Sequence, residues 1–255
     1  MVLTHWILEV GNTRVKWAAF DADASLSSPP LNVEKVALDD FSALNRWKAQ
    51  VGANDLVWVS GSGKLDPWSD ISPSCHVFKP GDALPLHTNV TSPETLGLDR
   101  VANVWAVVQG ASEDPSQPWL IVDAGTCMTM DLLDRGTHIG GTISPGLQMR
   151  LTAMAHGTAN LPQPDLNAIV PELRQARAMG SNTPTALLAG AVGGLVAEIE
   201  GRWAALRQEV PNLGLILTGG DAVHLELRGI RPKFADAHLT LKGHHALLRH
   251  FHDLS

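Results

Sequence analysis

The sequence predicts an α/β fold made of two related halves, because one hairpin pattern occurs twice and a polar linker separates the two occurrences. In the clearer hairpin, apolar Trp119–Val122 lead into Asp123-Ala124-Gly125-Thr126, and alternation returns through Asp131. This pattern is typical of a strand, a tight loop and a second strand. Asp123 could hold a cation, and Thr126 with the loop amides could face phosphate oxygens, although polar residues are also common in ordinary hairpin turns.

The same pattern occurs near the N-terminus. Trp6–Val10 is an apolar strand with Glu9 as its acid, Gly11 opens the turn, and Arg14–Phe20 alternates like a returning strand. Two hairpins with an acid-x-Gly turn, about half a chain apart, indicate a duplicated fold with two facing phosphate-binding loops.

A polar, proline-containing stretch, Gly110–Pro118, is the best candidate for the boundary between the halves. We therefore expect an N-terminal domain over residues 1–112 and a C-terminal domain over residues 118–255. In the second, Pro184–Val210 reads as a long helix with small residues at Ala189–Gly194, which would let a second copy of the helix approach closely.

Composition narrows the class of protein. The chain of 255 residues is 44% hydrophobic, enough for a sizeable core, and its net charge of -7 argues against a general nucleic-acid surface. No apolar run reaches membrane-spanning length, and polar residues interrupt Met1–Phe20 too early for a signal peptide. The two cysteines fit a reducing compartment, so we expect a cytoplasmic protein without membrane or nucleic-acid partners.

Asp99 is the candidate general base. It precedes a predicted helix over Val101–Gln109, so its carboxylate would lie near the first turn, where the helix dipole favours negative charge. It could accept a proton from a substrate hydroxyl, with Arg100 beside it for anionic groups, or it could simply cap the helix.

Two further stretches carry polar groups. The predicted strand Leu213–Leu217 ends in Thr218-Gly219-Gly220, and such a glycine pair either makes a tight turn or lets a flat ligand or phosphate approach the backbone. The terminal helix, Leu241–Leu254, carries four histidines, which we interpret as an exposed face rather than a metal site because no partner carboxylate has suitable spacing.

Six motifs in order give the chain a resemblance to type III pantothenate kinases over nearly its whole length. They are Glu-Val-Gly-Asn-Thr at 9–13, Leu-Gly-Leu-Asp-Arg at 96–100, Asp-Ala-Gly-Thr at 123–126, Gly-Gly-Thr-Ile-Ser-Pro-Gly at 140–146, Asn-Thr at 182–183 and Leu-Thr-Gly-Gly-Asp-Ala at 217–222. The stretch Phe234–Gly243 also looks like the tail of that family.

The resemblance implies an acetate kinase/Hsp70/actin-type fold, with two ribonuclease-H-like halves and a cleft between them. It implies transfer of the γ-phosphoryl group of ATP to the primary hydroxyl of pantothenate, the first step of coenzyme A synthesis. It further implies a divalent cation (Mg) with ATP, a monovalent cation (K or NH4), and a homodimer whose subunits share the active site.

The resemblance also assigns roles to individual residues. Asp99 matches the catalytic base, Asp123 the monovalent-cation ligand and Thr126 the second position that contacts ATP. The first phosphate loop would comprise Glu9, Val10, Gly11, Asn12, Thr13, Arg14, Val15 and Lys16, and the adenosine motif Thr218, Gly219 and Gly220. Pantothenate would contact Val90, Gly97, Leu98, Asp99, Arg100 and, across the dimer, Thr183.

Two positions depart from the family pattern. Glu9 stands where the family usually has aspartate, which extends the carboxylate by about 1.5 Å. Val90 stands where it usually has tyrosine, so a phenol hydrogen bond is absent. These departures motivate one alternative, a catalytically weak or inactive homologue that binds nucleotide or regulates a partner. Another alternative is a sugar or acid kinase of the same fold.

Overall fold

The structure is a computed structural model that describes residues 3–11, 14–61, 75–79, 81–112 and 116–253. It divides into two compact units. The first comprises Met1–Pro115 together with His238–Ser255, and the second comprises Ser116–Ala237. The division after Pro115 falls inside the predicted linker. The terminal segment differs from the prediction, because it belongs to the first unit rather than to the C-terminal domain.

The described elements follow the chain from one unit to the next and back. Before the linker they are β1 (Thr4–Val10), β2 (Arg14–Asp21), β3 (Asn32–Ala37), α1 (Phe41–Lys48), β4 (Leu56–Gly61), β5 (Cys75–Val77), β6 (His87–Thr88) and α2 (Leu98–Ala106). After it they are β7 (Trp119–Ala124), β8 (Cys127–Asp134), β9 (Thr137–Pro145), α3 (Leu147–Gly157), α4 (Thr183–Leu206), β10 (Gly214–Thr218), β11 (Lys233–Ala235) and α5 (Leu239–Asp253).

The first unit contains a mixed sheet with the strand order β3-β2-β1-β4-β5. Strands β1, β2 and β3 pair antiparallel as a meander, whereas β4 and β5 add in parallel to the other edge of β1. The parallel pairing brings the carboxyl ends of β1 and β4 to the same edge of the sheet.

The second unit repeats this order of strands. Its strands lie in the order β9-β8-β7-β10-β11, with β7, β8 and β9 antiparallel and with β10 and β11 parallel to β7. Each strand therefore has a counterpart in the first sheet, with β7 matching β1 and β10 matching β4. The duplication predicted from the two hairpins is confirmed by this topology.

Each sheet packs a hydrophobic core against helices. In the first unit, α1 places Leu44 and Trp47 against one face of the sheet. In the second, the core lies between the sheet and α4, whose buried side chains include Leu188, Val192 and Ile199. Asn182 caps α4 by accepting a hydrogen bond from the Thr185 amide at 3.0 Å, which fixes where this helix begins. Within the described part of the chain, no helix combines the length and the apolar character needed to span a bilayer.

The exposed face that the sequence suggested for the histidines of α5 is wrong for two of the four, whereas His250 is partly exposed and His252 is exposed. His244 and His245 are buried, because α5 packs on α2 and on the face of the first sheet opposite α1. His245 Nε2 lies 3.0 Å from His5 Nδ1, and its ring stacks on Phe20. Burial lowers the pKa of both His244 and His245 to about 3, so both rings are neutral near pH 7. No metal-binding cluster of three His, Cys, Asp or Glu side chains occurs among the described residues.

The contact between α5 and α2 depends on a glycine. A Cβ atom built on Gly243 would overlap the backbone of Ala102, whereas one built on Gly201, an exposed position in α4, would meet nothing within 4 Å. We predict that Gly243→Ala lowers the free energy of unfolding by about 2–3 kcal/mol or more. Gly201→Ala, the matched control, should raise it by roughly 0.5–1 kcal/mol through helix propensity. Urea unfolding of both variants measures the difference, and equal effects would contradict the close packing of α5 on α2.

Candidate active site

The first loop joins β1 to β2. The Gly11 amide donates a hydrogen bond to the Arg14 carbonyl at 2.9 Å, which closes the turn. Asn12 and Thr13, both predicted nucleotide contacts, lie outside the described residues. Val10 and Val15 pair with each other and bury their side chains fully, so only their backbone can contact a ligand. Arg14 is exposed and Lys16 is partly exposed, so both cationic side chains are accessible.

Glu9 is surrounded by other charged residues of the first unit. It is directly opposite Lys16 in the antiparallel pair, and Lys16 is opposite Lys35 on β3. Burial raises the pKa of the Glu9 carboxyl, and the charge of Asp99 raises it further, whereas Lys16 and then Lys35 lower it. Glu9 and Asp99 are therefore close enough to interact electrostatically, as two carboxylates around one substrate would need to be.

Asp99 occupies the first turn of α2, as the sequence predicted. Its carboxylate is exposed, and Oδ1 accepts a hydrogen bond from the Arg100 amide at 2.9 Å. A Cβ atom on Gly97 would lie 2.6 Å from Asp99 Oδ1, so the glycine makes room for this carboxylate. Leu98 is buried and anchors the turn in the core. The N-cap of α2 is Gly97, so Asp99 does not cap the helix, and its accessible carboxylate in the first turn can act as a base.

The second loop joins β7 to β8 at Gly125 and Thr126. The Gly125 amide donates to the Cys127 carbonyl at 3.1 Å, and the Thr126 side chain is exposed. The Gly146 amide, just before α3, donates to the Thr126 carbonyl at 3.2 Å. A side chain on Gly146 would overlap the backbone of Gly125 and Thr126, so the glycine lets the two segments contact each other.

Arg150 holds the segment before α3 that contacts this second loop. Its Nε donates to the Pro145 carbonyl at 2.8 Å, and its Nη2 donates to the Glu198 carboxylate at 2.5 Å. Both side chains are only 21% exposed, so this ion pair is better shielded from water than a fully exposed one. Helix α4 thereby holds the turn that contacts Thr126.

Asp123 has oxygen donors on the neighbouring strands. It is directly opposite Thr129 on β8 and Thr218 on β10, and directly opposite residues of paired strands face the same side of a sheet. A carboxylate flanked by two hydroxyls is an all-oxygen donor set, which suits a hard cation such as potassium or magnesium. The residues present therefore fit the cation that the sequence analysis placed at Asp123.

The backbone requires glycine at position 219 but not at position 220. Gly219 has φ of +94° and touches the backbone of Ala124 so closely that a Cβ would overlap it. Gly220 is exposed and has open space where its Cβ would be. Only Gly219 is required by the fold, so the open position at Gly220 is the one where a ligand could approach the backbone.

Val90 and Thr183, the remaining predicted contacts, lie in separate units. Val90 is partly buried after β6, and its amide donates to Thr88 Oγ1 at 3.1 Å. Thr183 begins α4, is exposed, and lines a cavity of about 480 Å³ together with Gly180, Ser181 and Asn182. Thus Glu9, Lys16 and Asp99 are brought together in the first unit, and Asp123 and Thr218 in the second.

Comparison with known proteins identifies the class. The model of the type III pantothenate kinase family matches residues 67–205. A type III pantothenate kinase of Bacteroides fragilis is 39% identical over 246 residues, which cover 96% of this chain and 97% of the relative. One from Flavobacterium johnsoniae is 33% identical over 248 residues, or 95% of each chain.

Solved structures show the same architecture at low sequence identity. A structure described as a Baf family transcriptional activator from Campylobacter jejuni superimposes with a TM-score of 0.61 at 16% identity, covering 97% of this chain and 99% of the other. One described as a 2-dehydro-3-deoxygalactonokinase from Sinorhizobium meliloti gives 0.54 at 13% identity, covering 98% of each. The fold is thus the acetate kinase/Hsp70/actin type, with two ribonuclease-H-like halves.

The chain belongs to the type III pantothenate kinase family. It is a phosphotransferase, an enzyme that phosphorylates pantothenate at the expense of ATP in coenzyme A biosynthesis. The resemblance drawn from six motifs is confirmed over almost the full chain, whereas the roles of the individual residues stay predictions.

The two glycines of the Thr218–Gly220 turn give a direct test. We predict that Gly219→Ala lowers the free energy of unfolding by roughly 1–3 kcal/mol, because it combines a positive φ with a backbone overlap. Gly220→Ala should leave that free energy within about 0.5 kcal/mol of the wild type. Thermal and urea unfolding measure both. Any loss of turnover in a stable Gly220→Ala variant would then report ligand contact, whereas equal destabilisation would contradict the open position at Gly220.

Proposed function

We propose that Asp99 is the general base for phosphorylation of pantothenate to 4'-phosphopantothenate. Asp99 accepts the proton of the primary hydroxyl while that oxygen forms a bond to the γ-phosphorus of ATP. The bond from the γ-phosphorus to the β,γ-bridging oxygen breaks, and ADP leaves. The observation that carries the proposal is the exposed Asp99 carboxylate at the first turn of α2, in electrostatic contact with Glu9.

The phosphates of ATP contact the two hairpin loops in this proposal. Glu9–Lys16 supplies cationic Arg14 and Lys16 with the backbone of Gly11, and Thr126 supplies a hydroxyl. Thr218, Gly219 and Gly220 contact the adenosine. Transfer of a phosphoryl group depends mainly on positioning and on neutralisation of charge, so cationic side chains and backbone amides at rigid strand ends suit it.

Two cations complete the site. A divalent cation, Mg, bound with ATP offsets the negative charge that phosphoryl transfer redistributes. The Asp123 carboxylate, flanked by Thr129 and Thr218, holds a monovalent cation, potassium or ammonium.

Pantothenate binds between residues of two subunits in this proposal. One subunit contributes Val90, Gly97, Leu98 and Arg100 beside the base, and Thr183 of the partner subunit completes the site. Support comes from the exposure of Thr183, which lines the 480 Å³ cavity. In this proposal the protein is a homodimer. We also place it in the cytoplasm.

Asp99 is tested by neutralising its charge. We predict that Asp99→Asn lowers kcat for pantothenate-dependent ADP release by at least about 100-fold, since the base is lost while the shape is kept. Glu94→Gln, which neutralises an exposed acid five residues upstream, is the matched control and should retain wild-type turnover. Unchanged activity in Asp99→Asn would exclude the proposed base.

The same turnover assay tests the cation requirement and distinguishes the kinase from the two alternative functions. Replacement of potassium by sodium should reduce turnover if Asp123 holds the monovalent cation. Nucleotide binding without any turnover would favour a catalytically inactive homologue, the alternative suggested by the departures at Glu9 and Val90. Turnover with a sugar or another hydroxy acid but not with pantothenate would favour a related kinase.

A shared active site makes a prediction about mixed dimers. Asp99→Asn and a Thr183 variant, such as Thr183→Arg, should each be inactive. When the two variants are mixed, unfolded together and refolded, each heterodimer should contain one intact site. For random pairing, activity should return to about a quarter of the wild-type value. Mass by light scattering checks that dimers form. No recovery in a confirmed mixture of dimers would contradict the sharing of the site.

A further inference from the structure

A polar cavity of about 680 Å³ lies in the second unit. It is lined by Gln148 of α3, by residues 163–167 in the connection that follows this helix, and by His224. Its volume is in the usual range for sites that bind small molecules. The mechanism proposed above gives these residues no role.

The cavity adjoins two of the loops proposed to contact ATP. His224 ends a short 3-10 helix that begins at Gly220, directly after the turn proposed to contact adenosine. Gln148 is in the first turn of α3, two residues after Gly146, whose amide donates to the Thr126 carbonyl. One wall of the cavity thus continues from the adenosine turn, and another continues from the segment that contacts the second phosphate loop.

Three side-chain amides among the lining residues are held through their nitrogens. Nε2 of Gln148 and Nε2 of Gln163 both donate to Thr152 Oγ1, at 3.3 and 3.0 Å. Nδ2 of Asn167 donates to Asp165 Oδ1 at 3.0 Å. The hydrogen bonds found among the described residues leave all three amide oxygens as unused acceptors. All three side chains are exposed, so a ligand that donates hydrogen bonds can reach them.

The charge of the lining residues disfavours an anionic ligand. Asp165 contributes a carboxylate, and the described lining residues include no lysine or arginine. A phosphate group or the carboxylate of pantothenate would therefore lack a cationic partner here. The cavity better suits a neutral ring that both donates and accepts hydrogen bonds.

The adenine base of ATP is such a ring. Its 6-amino group can donate to amide oxygens, and its ring nitrogens can accept from the remaining amide N–H groups, a pairing that asparagine and glutamine make with adenine in nucleic-acid complexes. His224 adds a flat ring, one of the side chains on which bases stack.

We propose that this cavity binds the adenine base of ATP, and that the side-chain amides of Gln148, Gln163 and Asn167 recognise its 6-amino group. The proposal rests on the proposed function only in taking ATP as the phosphoryl donor. It assigns the selection of the base to side chains that lie outside all six family motifs.

The first test needs no variant. Purine riboside 5'-triphosphate differs from ATP only in lacking the 6-amino group. We expect kcat/KM for pantothenate-dependent turnover to be roughly tenfold lower with this analogue than with ATP, because the amide oxygens then lack a donor. The KM for pantothenate should change by less than about twofold. Equal kcat/KM values for the two nucleotides would overturn the proposal.

A triple variant, Gln148→Ala with Gln163→Ala and Asn167→Ala, locates the preference for ATP. It should reduce the preference to below about twofold, by lowering kcat/KM with ATP and changing it little with the analogue. Gln208→Ala is the matched control, since Gln208 is an exposed amide of the same unit outside this cavity, and it should keep the tenfold preference. A tenfold preference that persists in the triple variant would overturn the proposal.

Folding of the triple variant is checked by its Tm, which should match that of the wild type because all three side chains are exposed. If the triple variant does not fold, the three single variants make the same comparison. A wild-type preference for ATP in every one of them would then contradict the adenine site.

Failure of the proposed function gives a different result. If the wild type shows no pantothenate-dependent turnover, the proposed function fails, and calorimetric titration compares the Kd of ATP with that of the analogue, each with magnesium. Tighter binding of ATP by roughly tenfold in the wild type, lost in the triple variant, would support the adenine site. Equal Kd values, or no binding of either nucleotide, would overturn it.

Discussion

The parallel pairing of the first and fourth strand in each half is the constraint on which the rest of the structure depends. It brings two strand ends to one edge, so an acid on one strand and a hydroxyl on the other become neighbours. The pairing ends in the same way in both halves. Gly61 lies against the backbone of Val10, and Gly219 lies against that of Ala124, where any side chain would overlap. These backbone contacts fix the position at which the chain leaves each sheet.

The candidate site residues that depend on local pattern can be predicted from the sequence. Glu9 and Asp123 are predicted because each precedes a glycine turn between two apolar strands, and Asp99 because it opens a helix. The position of the fully buried Ser60 beside Glu9 could not be predicted, because it comes from the pairing of β4 with β1, a strand about fifty residues away in sequence. The same limit applies to α5. Its histidines read as polar and exposed, and only the packing of α5 on the first sheet shows that His244 and His245 are core residues.

Glu9 is the departure that matters most for the chemistry. A partly buried carboxylate is costly to ionise, as the raised pKa of Glu9 indicates, and Lys16 and Lys35 only oppose that effect. The longer arm of glutamate also adds a rotatable bond, so its carboxylate needs more support than that of aspartate to keep one position.

The division of work between Glu9 and Asp99 follows from their surroundings. Asp99 is exposed at a helix N-terminus, where a substrate hydroxyl can reach it, whereas Glu9 is enclosed beside two lysines. The charge of Asp99 makes Glu9 harder to ionise, and a triphosphate would add further negative charge. Glu9 stays ionised during transfer only if cations offset that charge. In the proposed mechanism, Lys16, Lys35 and a divalent cation would offset the charge around Glu9, and Asp99 would accept the proton.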